Sequence, residues 1–270
     1  MRASILTLLA FVVTIVFLFP LFWTVSLSIR PATELYAVPG WGIPWLDFTP
    51  TFDAWSGELT YPGMGLAAAH STEIGVGAML LAMVLGLPAS WALARRSLMP
   101  RAGLVVACLL VIRLLPPVAL VVPVYLMAAK AGLLDTALAL VLINATLVFP
   151  LVVVLMRQAF ADIPPELEEA AAVDGAGPLR TFVSIVLPLT APAIVATGLI
   201  LLAFAWNDYM FAASLLALKM NTLPVLTSGY NRVVREGAVD MLICVSVPMV
   251  AALLAQRWLV SVLSFGTVRG

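Results

Sequence analysis

The chain has 270 residues, of which 63% are hydrophobic and only 10% charged, with a mean hydropathy of +1.11 and a formal net charge of zero. A soluble domain carries about 25% charged residues, so the composition excludes an ordinary water-soluble globule. With no basic excess it also excludes a nucleic-acid partner. The two cysteines, Cys108 and Cys244, both sit in apolar runs and read as packed small residues, not as a disulfide framework or metal site.

Runs of about 20 apolar residues match a hydrocarbon core of about 30 Å crossed by a helix, and such runs organise the chain. Residues 5–29 form the first. It follows only Arg2 and is longer than the apolar part of a signal peptide, so it reads as an uncleaved span. Residues 30–69 differ in kind: Pro31, Pro39, Pro44, Pro50 and Pro62 punctuate them, acids outnumber bases, and Trp41, Trp45 and Trp55 recur. That describes an ordered external loop whose tryptophans serve either as an interfacial belt or as a landing surface for a soluble partner.

A second span is expected at 72–94. Arg95, Arg96 and Arg101 follow in a short connection and fix that side as cytoplasmic by the positive-inside rule. The third span, 103–127, is broken by Pro116, Pro117 and Pro123; a short outer turn precedes the fourth, 136–156. A polar island then separates the fourth span from the fifth, 185–208, which carries Pro188 and Pro192. Apolar character runs on past Leu218, too long for one crossing, so a re-entrant or interfacial segment is expected after it. Residues 239–263 complete the set. The expectation is an all-α polytopic membrane protein: one transmembrane domain, 1–270, with six spans and both termini cytoplasmic. No internal repeat is evident.

Several chemistries are missing. No G-x-x-x-x-G-K-[ST] phosphate loop occurs, so ATP has no usual site. His70 is the only histidine, which leaves no His-based metal site or histidine proton relay, and no G-x-S-x-G elbow is present. Two polar groups in spans stand out. Arg113 lies deep in the third span and faces either a structural partner, such as helix carbonyls, or a solute path. Trp206, Asn207, Asp208 and Tyr209 pair aromatics with hydrogen-bonding groups, the usual equipment for a sugar; equally, the aromatics anchor an interface and Asp208 caps a helix.

The island itself, 163–176, reads as a short helix. Pro164 and Pro165 suit a first turn, Glu166, Glu168 and Glu169 complement the positive end of its dipole, and Gly175, Gly177 and Pro178 stop it. At 100° per residue Leu167, Ala170, Ala171 and Asp174 share a stripe, where alanines admit close approach by another surface. The alternatives are a helix that sits in a socket and an ordinary loop helix lying on the membrane.

EAAAVDG at Glu169 to Gly175, followed nine residues after the glycine by IVLP ending at Pro188, resembles the EAA signature of ABC importer permeases. IPPELE before it, RLLPP at Arg113 to Pro117, GLLDT at Gly132 to Thr136, FAWNDY at Phe204 to Tyr209 and the closing FGTVRG extend the similarity over nearly the whole chain. Together they resemble the carbohydrate-uptake subfamily, similar to the second permease of maltose-type importers. The resemblance implies a type I ABC importer permease fold and a non-catalytic subunit in a prokaryotic inner (cytoplasmic) membrane. It implies a second permease as heterodimer partner, two ATP-binding subunits and an extracytoplasmic solute-binding protein. ATP and Mg would be held by the ATPase, with no cofactor bound by this chain. Glu169, Ala170, Ala171, Asp174 and Gly175 would contact the ATPase, and Arg113, Trp206, Asn207, Asp208 and Tyr209 would be candidates for the solute path. The expected cargo is a sugar or sugar derivative, with a polyol, glycerol phosphoester or other small solute as the alternative and a stand-alone secondary transporter further off. His70, Ser71 and Thr72 depart from the Asn-Ser pair that the family often shows there.

Overall fold

A computed structural model describes the backbone of residues 2–35, 41–95, 101–216, 220–228 and 234–264. Arg96 and the closing 265–270 motif lie outside the described residues. Among the described residues the regular structure is helical: α1 (Arg2–Ser28), α2 (Asp53–Leu59), α3 (Met64–Ala94), α4 (Ala102–Leu114), α5 (Pro117–Lys130), α6 (Ala137–Ala161) and α7 (Pro165–Val173). Then come α8 (Pro178–Thr181), a π-helical turn at Phe182–Val186, α9 (Leu187–Leu189), α10 (Ala191–Trp206), α11 (Met210–Leu215), α12 (Leu223–Thr227) and α13 (Val234–Ser264).

The all-α, multi-span architecture is the one expected; the described helices give four or five crossings, where six were expected. Among the described residues four helices, α1, α3, α6 and α13, are long and apolar enough to cross a bilayer, and a fifth crossing results if the bent pair ending in α10 is one span. The expected third span, 103–127, is broken into α4 and α5 at Leu115 and Pro116. Pro117 supplies no amide hydrogen and disfavours a helical residue before it, so the first helix ends and a second begins on the proline. The fifth span is bent by 79° between Pro178–Leu189 and Ala191–Trp206. Thr190 leaves helical geometry between Pro188 and Pro192, at φ −100° and ψ 9°. Its hydroxyl and its N–H both donate to Val186 O, at 2.8 and 3.1 Å, so the last turn before the bend is closed by Thr190 itself. The second span starts earlier than expected, since α3 spans 31 residues, or about 46 Å at 1.5 Å per residue, more than a bilayer core.

The chain forms two compact units, each considered by itself. One comprises residues 68–222 and 248–270, and its core joins α3, α6 and α10 through Ala82, Met83, Val148, Val152, Met156, Phe160 and Leu201. Ala78, Ala82, Gly86 and Ser90 are all buried and recur every fourth residue on α3. This small-residue seam lets backbones approach where lipid gives helices no hydrophobic reason to associate. Gly86 shows the need: a Cβ there would lie 2.5 Å from Val152 Cγ1 on α6. Leu93 and Val153 seat α4 through Val105, Val106 and Leu109.

The other unit comprises residues 1–67 and 223–247. In it the loop after α1 folds back on the last turns of that helix. Ser26 Oγ donates to Gly42 O, Thr51 N to Ile29 O at 2.8 Å, and Trp55 Nε1 to Ser28 Oγ at 3.2 Å. Arg30 is buried between the rings of Trp23 and Phe48, 5.5 and 5.0 Å from their centroids. The three tryptophans of the loop differ in exposure. Trp55 is tied to α1, whereas Trp41 and Trp45 are exposed, Trp45 by 81%.

Candidate functional site

Helix α7 begins as its prolines dictate, with Pro165 in the first turn. It ends in a Schellman arrangement: Gly175 N donates to Ala172 O at 3.0 Å and Ala176 N to Ala171 O at 2.9 Å, with Gly175 at φ +82°. Only glycine adopts that conformation at little cost, which is why the helix stops there.

The helix is rolled so that Ala171 is buried and Glu168 is turned toward α3. Glu166, Glu169, Ala170 and Val173, at i, i+3, i+4 and i+7, form an exposed stripe, with Val173 88% exposed and Asp174 and Gly175 exposed beyond it. The stripe expected from alanine spacing is thus divided, Leu167, Ala170 and Asp174 lying exposed and Ala171 inward. Glu168 Oε1 accepts from Trp91 Nε1 at 3.2 Å, from Arg95 Nε at 3.0 Å and also from Arg95 Nη2. Trp91 stacks on Phe182 at 5.0 Å between centroids, and Phe182 meets Phe160 edge-on at 6.2 Å. Sequence reasoning placed Arg95 only in a charge count and passed over Trp91. The available signal was their spacing: four apart at the end of a helix, they share a face.

The path candidates form two groups. Arg113, in the last turn of α4, donates from Nη1 to Leu147 O of α6 at 2.9 Å, and its guanidinium lies 4.9 Å from the centroid of Phe204 on α10. A helix carbonyl and an aromatic face therefore receive the charge. Asp208 Oδ2 accepts from Asn144 Nδ2 at 3.2 Å, and Oδ1 accepts from Phe211 N at 3.2 Å, in the first turn of α11. Both oxygens thus have structural donors, one at a helix start. Asn144, buried on α6, was not identified from sequence; an asparagine in an apolar run was the cue. Trp206 is only 2% exposed, so its ring faces protein, whereas Asn207 and Tyr209 are exposed. Asn207 Nδ2 donates to Ala203 O at 2.8 Å.

Nearby, Asp135 adopts φ +62° after Gly132 at φ +68°; its N–H donates to Leu215 O at 2.9 Å and its Oδ1 accepts from Met220 N at 3.3 Å. Those bonds fasten the turn between α5 and α6 to the end of α11. His70, the departure noted above, lies within α3 with Nδ1 3.1 Å from Asn221 O. Among the described residues no group of three or more His, Cys, Asp or Glu is placed to hold a metal ion.

Comparison with known proteins gives this geometry a context. The model of the family described as "Binding-protein-dependent transport system inner membrane component" matches residues 86–265, a stretch that contains α7 and both polar groups. The chain belongs to that family. It is accordingly a multi-pass membrane protein and a non-catalytic permease component of an ABC transporter complex. A "Trehalose transport system permease protein" of Mycobacterium tuberculosis is 33% identical over 264 residues, 94% of this chain and 93% of that one. A "Melibiose/raffinose/stachyose import permease protein" of Bacillus subtilis is 36% identical over 199 residues, 71% of each chain. A solved structure of a bacterial ABC transporter involved in the import of the acidic polysaccharide alginate superimposes with a TM-score of 0.71 at 21% identity, covering 95% of each chain. That likeness concerns the permease fold.

Proposed function

We propose that the chain is one of two different permease subunits of an ATP-driven importer carrying a sugar or sugar derivative across the cytoplasmic membrane of a prokaryote. The observation that carries this reading is α7, a helix whose exposed stripe of Glu166, Glu169, Ala170 and Val173 is too polar for lipid and open to a partner. In this role Glu169, Ala170 and Asp174 enter a cleft of a cytoplasmic ATPase, Gly175 ends the docked helix, and Ala171 packs behind it. Two such ATPases bind ATP and Mg, an external solute-binding protein delivers the cargo, and both termini are cytoplasmic. ATP-driven closure of the ATPase pair pushes on α7 and tilts the spans; hydrolysis resets them.

The carbohydrate assignment is supported by the relatives named for trehalose and for melibiose, raffinose and stachyose. Asn207 and Tyr209 are the path candidates with exposed side chains, and Arg113, Trp206 and Asp208 hold the surrounding helices in place. The test is reconstitution with a second permease, the ATPase and the binding protein in proteoliposomes, followed by uptake of labelled trehalose, melibiose and raffinose. Import that requires both ATP and the binding protein is expected. Uptake by this chain alone, without ATP, would overturn the proposal.

A further inference from the structure

We infer that Glu168, seated on Trp91 and Arg95, is a mechanical link that passes displacement of α7 directly to α3, so that these three are positioning residues for coupling and stand apart from the docking stripe. This role presupposes the docking of α7 on an ATPase proposed above. The covalent route out of α7 is poor at transmitting force. On one side lies the Pro164–Pro165 joint after α6; on the other lie Gly175, at φ +82°, and Gly177 before α8. Neither joint leads to α3, which precedes α7 by about 70 residues in sequence.

The side chains supply the missing connection. Three N–H donors of α3's terminal turns converge on one carboxylate oxygen, two of them from a guanidinium, and charge-assisted bonds of this kind are roughly twice as strong as neutral ones. The pair is shielded, with side-chain exposure of 13% for Arg95 and 18% for Glu168, so salt screens it less than it would a surface pair. Trp91 has a second attachment, its stack on Phe182, which lies immediately after α8. The end of α3 is therefore held both by α7 and by the turn that follows it. From there the seam of Ala78, Ala82, Gly86 and Ser90 carries α3 against α6. Glu168 and Ala171 occupy the inward side of α7, and the docking stripe occupies the other. One helix thus separates receiving a push from passing it on.

The experiment uses the reconstituted transporter with Glu168→Ala, Arg95→Ala, and the exchange Glu168→Arg with Arg95→Glu. Solute imported per ATP hydrolysed is measured together with ATPase co-purification and disulfide cross-linking from Val173→Cys to a cysteine in the ATPase cleft. Each single variant is expected to retain the ATPase and the cross-link while import per ATP falls about tenfold, the loss of a charge-assisted bond. The exchange is expected to recover most of that ratio. An unchanged ratio in both single variants, with the cross-link intact, overturns the link. So does a loss that the exchange fails to reverse and that accompanies loss of the ATPase, because the pair would then only hold the fold. Absence of the cross-link from Val173→Cys in an otherwise unaltered chain overturns the docking of α7 itself, and the link falls with it.

Discussion

Gly86→Ala should loosen the whole helical core. The added methyl carbon would lie 2.5 Å from Val152 Cγ1 and 2.8 Å from Val152 Cβ, distances that real side chains do not tolerate. Val152 has nowhere to go, since it is fully buried at the centre of the core joining α3, α6 and α10. Forcing an extra methylene into a packed interior costs about 1–3 kcal/mol. Val152→Ala alone removes two methyl groups from the same contact and costs about 1–3 kcal/mol through lost packing. Together the two changes exchange volume across the seam, so the double variant should be more stable than the sum of the singles implies, by about 1–2 kcal/mol. Thermal melting of the detergent-solubilised subunit, followed by size-exclusion recovery, reads this out, with each kcal/mol shifting the midpoint by about 2–4 °C. A Gly86→Ala variant melting within about 1 °C of the parent, or single-variant losses that simply add, would refute the reasoning.

Other expectations follow from the sites described. Glu169→Arg, or Ala170→Trp, on the exposed stripe of α7 should abolish ATP-driven uptake and ATPase recovery without moving the melting midpoint; unaltered uptake in both would remove the stripe from the docking surface. Gly175→Ala should destabilise the end of α7 by about 1–2 kcal/mol, because its Cβ meets no neighbour and the cost is that of φ +82° alone. Hydrogen exchange confined to residues near 170–177 would show it. Asp208→Ala leaves buried Asn144 without its carboxylate acceptor and should cost about 1–3 kcal/mol. Asn144→Ala in the same chain should return part of that in a melt, whereas additive losses would mean the two act separately.

Much of this was legible from residue types. Apolar runs located the crossings, proline pairs marked the start of α5 and α7, and the spacing from Glu169 to Pro188 pointed to the family. What escaped depends on contacts between residues distant in sequence. Helix carbonyls were one of the two alternatives for Arg113, but nothing in RLLPP picks out Leu147 O and Phe204, and an aromatic beside Asn and Asp does not disclose that Trp206 faces inward. The roll of α7 was misjudged for a related reason. Alanine spacing identifies a narrow stripe, but Trp91 and Arg95, more than 70 residues earlier, decide which side faces the protein. The proline-rich fifth span looked continuous in hydropathy because hydropathy averages over the residues at which a helix breaks.

The clamp around Arg30 bears on how the protein meets membranes of different thickness. The apolar part of α1 runs from Leu6 to Ser28, 23 residues or about 35 Å. Its C-terminal end is pinned: drawing α1 further into hydrocarbon would strip Arg30 from Trp23 and Phe48 and pull Gly42, Thr51 and Trp55 from their partners. Hydrophobic mismatch at α1 must then be absorbed by tilt or at the N-terminal end, where Arg2 is the nearest charge. The first helix is in effect a gauge fixed at one end, and a thinner bilayer would incline it and leave the folded loop in register.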